Sequence, residues 1–281
     1  MWWAFRQNPE DLLAWWNSRV KLACDVQDER VGEETLTAPL ERRPEKVVSH
    51  FDAWSAPTRW VPEFHRLVAM YHREIRAEVE SEVKNIGRNL SSDAVAPHPL
   101  LEEEKKWNPL WVKFLGRYGS GVPTLRAISS MFPEVHSLYV SVFYPGTMVA
   151  DHNGISRSLH RYHYGLRVPE GEAGIEIGGK RIRWKEKEGF VWDPTVTHSA
   201  WNRTEEPCIL IVADIERDLK WQNLGTHFVY WLLRLKGGWN LPPSEGDAEE
   251  PGVMPEWSPQ TEEAVSEVKE VAAPPDVADD E

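Results

Sequence analysis

The chain has 281 residues, 41% apolar and 27% charged, so it can bury a core and is too apolar to be disordered throughout. Its net charge of −13 sits at one end: from Glu245 to Glu281 there are 13 Asp or Glu against the single Lys269, a net of −12, which leaves the rest of the chain near neutral at −1. A body without basic excess makes nucleic acid a poor partner, and two cysteines, Cys24 and Cys208, are too few for a disulfide framework, so reduced thiols are expected.

The N-terminus, Met1-Trp2-Trp3-Ala4-Phe5-Arg6, lacks a basic region followed by an apolar run, so no secretory signal is read and the cytoplasm is the default compartment. Asn8-Pro9-Glu10-Asp11 sets a capping residue, a first-turn proline and two acids ahead of Leu12, Leu13, Trp16 and Val20, which predicts a helix starting there. Val61, Phe64, Val68, Tyr71, Ile75 and Val79 recur at helical spacing and predict one amphipathic helix over Glu63 to Val83. His65 and His72 share nearly one face of it, which reads as a solvated polar face or, less commonly, a metal pair.

From Ser137 the period changes to two. Strands are expected at Leu138–Tyr144, His160–Val168, Ala173–Ile177, Lys180–Trp184, Gly189–Asp193, His198–Asn202 and Cys208–Asp214, with Gly178-Gly179 as a hairpin turn. Seven short strands without helices between them imply an antiparallel sandwich or jelly roll, mainly β with flanking helices. A helical or irregular segment follows Glu216 to Trp239. Its apolar run Phe228–Leu233 is too short for the ~20 residues of a transmembrane span, and no such span is expected. The expected organisation is a helical N-terminal region (1–100), a β domain with a C-terminal helical segment (101–240) and an acidic disordered tail (241–281).

Four histidines, His152, His160, His163 and His198, fall in the strand-rich region. Chain-distant strands face one another in a jelly roll, so His152 and His198 can meet inside it. Neutral imidazoles suit ferrous iron, commonly with one carboxylate. Taken alone, two such residues are read more readily as satisfied histidines at strand ends. Arg161 and His163, two apart on a strand, project to one face; if that face is interior, both are costly to bury without an anion, which a dicarboxylate would supply. His160 has the opposite parity and is expected to be structural or solvent-facing.

The segments Ser141-Val-Phe143-Tyr-Pro145-Gly146-Thr147-Met-Val149-Ala-Asp-His152-Asn-Gly154, Arg161-Tyr-His163-Tyr-Gly165-Leu166 and Trp192-Asp193-Pro-Thr-Val-Thr-His198-Ser-Ala-Trp201 closely resemble the aspartyl/asparaginyl β-hydroxylase family. Leu110-Trp111-Val112-Lys113-Phe114 and Phe132-Pro133-Glu134 resemble its lead-in, so that the likeness runs from about Trp107 to Asp214, with little before residue 100 taking part. The resemblance implies a double-stranded β-helix carrying an Fe(II)- and 2-oxoglutarate-dependent dioxygenase. His152 and His198 match the iron ligands, Ser141 matches a residue that hydrogen-bonds 2-oxoglutarate, and Arg161 and His163 match residues that contact co-substrate or substrate carboxylates. Most such oxygenases have Asp or Glu two residues after the first histidine. Gly154 stands there, as in this family, and water would complete the shell; adjacent Asp151 is expected to turn away from the metal.

Cys208 stands where the family has an arginine for the distal carboxylate of 2-oxoglutarate. Either another cation replaces it, with Arg126, Lys180, Arg181 and Arg183 as candidates, or co-substrate binding is weakened or lost. The implied substrate is an Asp or Asn side chain in a peptide or protein. The alternatives are a lipid acyl chain or, with turnover lost, a non-catalytic jelly-roll binding module.

Overall fold

The computed structural model describes residues 9–27, 50–89, 107–114, 117–119, 121–154, 156–219 and 222–236. The predicted acidic tail lies outside them. In chain order the elements are α1 (Pro9–Gln27), β1 (Phe51–Asp52) with a 3₁₀ turn, α2 (Trp60–Met70), α3 (His72–Asn89), β2 (Trp107–Phe114), β3 (Arg117–Tyr118) and α4 (Pro123–Ser130). Then follow β4 (Val135–Phe143), β5 (Thr147–His152), β6 (Leu159–Arg167), β7 (Ala173–Ile177), β8 (Lys180–Arg183), β9 (Gly189–Trp192), β10 (His198–Asn202), β11 (Cys208–Glu216) and α5 (Gln222–Lys236).

The strands form two antiparallel sheets: a seven-stranded one in the order β1-β9-β6-β11-β4-β2-β3 and a four-stranded one in the order β5-β10-β7-β8. This is the double-stranded β-helix. The large sheet is covered on both faces, which is why every residue of β4 is buried and why β11 reads as nearly continuous apolar sequence. Its outer face, including Leu138, Val140, Val142, Ile209, Ile211, Tyr162 and Tyr164, packs against Val61, Phe64, Val68, Ile75 and Leu125 of α2, α3 and α4. Its inner face, including Tyr139, Phe143, Cys208, Leu210, Val212 and Trp192, meets Ile175, Ile177 and Ala200 of the small sheet. A third cluster joins α1 to α5 through Trp16, Val20, Cys24 and Val229. A Cβ at Gly225 would fall 2.0 Å from the Trp16 ring, so glycine sets that approach, and the Trp16 indole donates to Thr226 Oγ1 at 3.1 Å beside it.

α1 begins at Pro9, and Gly178 and Gly179 take φ of 56° and 80°, the left-handed pair of a type I′ hairpin turn. The single helix expected over Glu63 to Val83 is two, because Tyr71 leaves helical dihedrals at φ −96°, ψ 22°. Bonds from Tyr71 N to Leu67 O and from Ile75 N to Tyr71 O keep the 3.6-residue phase across the break, so the periodicity runs through it unmarked. β5 is not among the strands expected from the sequence. It is a half-exposed strand of the small sheet, whose Met148 and Asp151 give it too little apolar alternation to be recognised. Both cysteines are free and buried, and the Cys24 thiol donates to Arg157 O.

Candidate active site

The two histidines of the motifs meet across one ladder. His152 ends β5, His198 opens β10, and they are direct cross-strand partners with ring centroids 4.0 Å apart. A bulge makes this possible. His198 pairs with His152 and Ala200 with Val149, so Ala150 and Asp151 together oppose Ser199. Thr147 and Val149 point inward, and unbroken alternation would carry Asp151 inward and His152 out; the extra residue reverses that and leaves Asp151 exposed.

Each ring has a defined tautomer. His152 Nδ1 lies 2.8 Å from Ala150 O and His198 Nδ1 lies 2.8 Å from Val196 O. A carbonyl only accepts, so each Nδ1 carries a hydrogen, and in the neutral ring it is Nε2 that presents the lone pair. Burial, followed by the neighbouring His152, pushes the His198 pKa down to about 3, and the ring stays neutral. Trp192 packs edge-on against it at 4.4 Å. Donors of this kind fit a divalent iron ion.

The loops that carry the pair are tied together. Gly154 N donates to Pro194 O at 2.6 Å, and a Cβ at residue 154 would lie 2.8 Å from that oxygen. This close approach leaves no room for a carboxylate side chain where most related oxygenases place one. Asp193 Oδ1 accepts from Thr195 N and Oγ1 at 2.9 and 2.6 Å, and its Oδ2 faces the fully buried Arg217 at 3.3 Å, which holds the turn entering β10. Among the described residues no third His, Cys, Asp or Glu completes a three-donor group with His152 and His198.

The large sheet faces this pair. Ser141 is buried opposite Leu210 on the inner face. His163 is buried at register with Val212, and its Nδ1 accepts from the Trp184 indole at 3.2 Å. Burial holds it well below its ordinary pKa, with Arg161 and His198 adding to the effect, so it is neutral and its hydrogen resides on Nε2, a donor.

Arg161 already has an anion. Its Nε and Nη2 donate to the two oxygens of Asp214 at 2.8 and 3.0 Å, and Ser137 Oγ donates to the same carboxylate at 2.7 Å. Burial alone would raise the Asp214 pKa, but the Arg161 guanidinium overrides it and holds the carboxyl below its usual range. The expectation that a bound dicarboxylate must neutralise Arg161 is therefore corrected: the chain supplies that charge itself. Asp214 was missed in the sequence, although it shares parity with Cys208 along β11 and so had to face inward.

The remaining expectations divide clearly. His160 is fully buried with its ring edge-on to Phe51, so the solvent-facing option is ruled out. His65 and His72 are buried, not solvated: their Nδ1 atoms are hydrogen-bonded to the Tyr162 and Tyr164 hydroxyls at 2.8 and 3.0 Å behind the large sheet. Cys208 lies in the apolar interior, where burial pushes its thiol up to about 12. Of the four cations considered for its task, Arg181 and Arg183 pair on the outer face with Glu176 and Glu172, and Arg126 lies on α4 over the Tyr118 ring. Lys180 is the cross-strand partner of Ile177, whose side chain is in the barrel interior, and Ile177 pairs in turn with His198. Lys180 thus stands in the same cross-strand row as the two histidines, at the exposed hairpin end of β8.

The fold and the inward histidine pair define a double-stranded β-helix protein of the hydroxylase type. The chain belongs to the aspartyl/asparaginyl β-hydroxylase family, which it matches over residues 73–218. The match begins within α3, upstream of the motif-bearing segment, so more of the helical layer takes part than the motifs indicate. Against the aspartyl/asparaginyl β-hydroxylase of Homo sapiens the chain is 23% identical over 124 residues, 41% of this chain and 16% of that protein. Against the aspartate β-hydroxylase domain-containing protein 2 of Xenopus tropicalis it is 30% identical over 79 residues, 27% of this chain and 21% of that protein. The chain thus spans about a fifth or less of the length of these relatives. Among solved structures, a Pseudomonas putida prolyl-4-hydroxylase aligns at TM-score 0.36 and 11% identity over 52% of this chain and 87% of that one. The Schizosaccharomyces pombe Cnp3 cupin domain aligns at 0.30 and 12% over 47% and 76%. Among the described residues no helix is long and apolar enough to cross a membrane.

Proposed function

We propose that the protein is an Fe(II)- and 2-oxoglutarate-dependent dioxygenase that hydroxylates an Asp or Asn side chain in a peptide or protein. The observation that carries this reading is the cross-strand pair His152 and His198, rings 4.0 Å apart and each with Nδ1 committed to backbone, which leaves the two Nε2 atoms for a metal. These two Nε2 atoms would hold the ion, with water in the remaining positions because Gly154 has no space for a carboxylate. The bound ion would supply the activation of oxygen and the binding of the keto acid. The substrate class follows from the names of the relatives.

The surrounding residues perform the rest. His163 Nε2–H and the Ser141 hydroxyl offer hydrogen bonds to a carboxylate, and Trp184 fixes the His163 ring. Asp214 holds the Arg161 guanidinium in one orientation facing the site, with lower entropy cost than a mobile side chain. Tyr139, Trp184 and Trp192 exclude water from the interior. We assign the cation missing at Cys208 to Lys180, the only one of the four considered that shares the histidines' row.

Anaerobic titration of Fe(II) with and without 2-oxoglutarate tests this. The expected result is a keto-acid charge-transfer band that is absent from His152→Ala and His198→Ala, with succinate release that depends on added peptide. Lys180→Met should weaken 2-oxoglutarate by the ~1.5–3 kcal/mol of a charged hydrogen bond. An iron site that never binds the keto acid, in the parent or in Cys208→Arg, would instead establish a non-catalytic binding module.

A further inference from the structure

A second group of metal-type donors lies where the start of β4 and the end of β11 meet α5, and it includes neither His152 nor His198. His136, Glu216 and His227 bring one ligand atom each to within 4.8 Å of one another. Glu216 Oε2 lies 3.1 Å from His136 Nε2 and 3.1 Å from His227 Nε2, and the two rings are 5.7 Å apart.

Three separate elements converge to make this arrangement. In the pairing of β4 with β11, Asp214 opposes Ser137 and Ile215 opposes Val135, so His136 is the extra residue of a bulge. The bulge turns His136 and Ser137 to the same inner side, Ser137 toward Asp214 and His136 toward Glu216, the last residue of β11. His227 comes from α5, which packs on α1 through Trp16 and Thr226.

Hydrogen bonding alone accounts poorly for the group. The Glu216 side chain is 1% exposed, two imidazoles are directed at one of its oxygens, and the buried Oε1 has no hydrogen-bond donor among the described residues. A carboxylate so buried, with half its acceptor capacity unserved, costs several kcal/mol. A dication serves it directly. Two imidazole nitrogens and a carboxylate oxygen form a donor set of the zinc class, and tetrahedral bonds of about 2.0–2.2 Å would set donors about 3.4 Å apart, a few tenths of an ångström from the two 3.1 Å separations to Glu216, with all three donors within 4.8 Å. The half-exposed His227 leaves the solvent side for a water as fourth ligand.

We propose that His136, Glu216 and His227 form a second, structural site for a divalent transition ion of the zinc class, which fastens α5 to the end of β4 and β11. The site is independent of the iron assignment, because none of its donors belongs to the histidine pair.

The test is a Zn(II) titration of chelator-treated full-length protein, repeated with Co(II) to read the coordination by its visible absorption. In the His152→Ala/His198→Ala background one equivalent of Zn(II) should still bind, with tetrahedral-type Co(II) absorption, and adding His227→Ala should remove it. His227 is half exposed, so His227→Ala is expected to fold. In the otherwise unchanged protein His227→Ala should lower the Zn(II) stoichiometry by one and abolish the Zn(II)-dependent rise in Tm. The proposal is overturned if His227→Ala leaves stoichiometry and Tm response unchanged, or if the double variant, folded by circular dichroism, binds no Zn(II).

Discussion

Two pairs of histidines flank the large sheet, and their surroundings make them different groups. Behind it, His65 and His72 are buried in the helical layer, and each is hydrogen-bonded to a tyrosine hydroxyl of β6. Burial alone pushes His65 down to about 4. In front of it, His152 and His198 are bonded to their own backbone two residues away, and among the described residues no side chain is bonded to their Nε2 atoms. Both pairs contain rings held neutral by burial. Only the second pair sets two rings directly across one ladder, 4.0 Å apart, with Nδ1 taken by backbone, so the partner of each nitrogen, and not exposure or pKa, separates a core histidine from a candidate ligand.

The largest effect should separate the pairs outright. His198→Ala is expected to reduce Fe(II) binding, read by anaerobic titration, by far more than 100-fold while the circular dichroism spectrum persists. His65→Phe should leave the iron stoichiometry unchanged. Next in size, Phe64→Ala removes a fully buried ring that packs edge-on to Tyr162 at 5.5 Å, and it should cost about 3–5 kcal/mol in denaturant unfolding without altering iron stoichiometry in the folded protein.

Acid should act on the rear pair in a predictable direction. The folded pKa of His65, about 4, lies below its ordinary value of 6.5, so the unfolded chain takes up the proton first. The contribution is complete above pH ~6.5 and is lost as the pH falls toward ~4, with a slope near 1.4 kcal/mol per pH unit from this residue. Stability curves against pH should flatten by about that slope in His65→Phe. The smallest effect is expected from Tyr162→Phe, which deletes one buried hydroxyl and should cost about 1–2 kcal/mol by the same unfolding measurement. An equal cost in iron affinity would show that the two faces of the sheet are coupled.

Much of the fold could be read from local signals. β7 and β10 begin and end where alternation places them, α1 starts at its proline, and the Gly178-Gly179 turn has the left-handed dihedrals that such a pair favours. These features depend on neighbours in sequence. The strands β2 and β5 and the helix α4 went unread because their apolar faces are short or are completed by residues from elsewhere.

By itself, the sequence determined the antiparallel β architecture, the order of the histidine motifs, the parity that places Arg161 and His163 on one face, and the anomaly at Cys208. Tertiary structure decided the phase and the partners. One bulge in β5 turns His152 inward in place of Asp151, one bulge in β4 delivers His136 to Glu216, and the register of β6 on β11 gives Arg161 its anion in Asp214. A single inserted residue reverses every side chain beyond it, and its position is set by pairing between strands far apart in the chain. Periodicity along one strand therefore carries the pattern of a face, while the ladder across strands determines which face becomes the site.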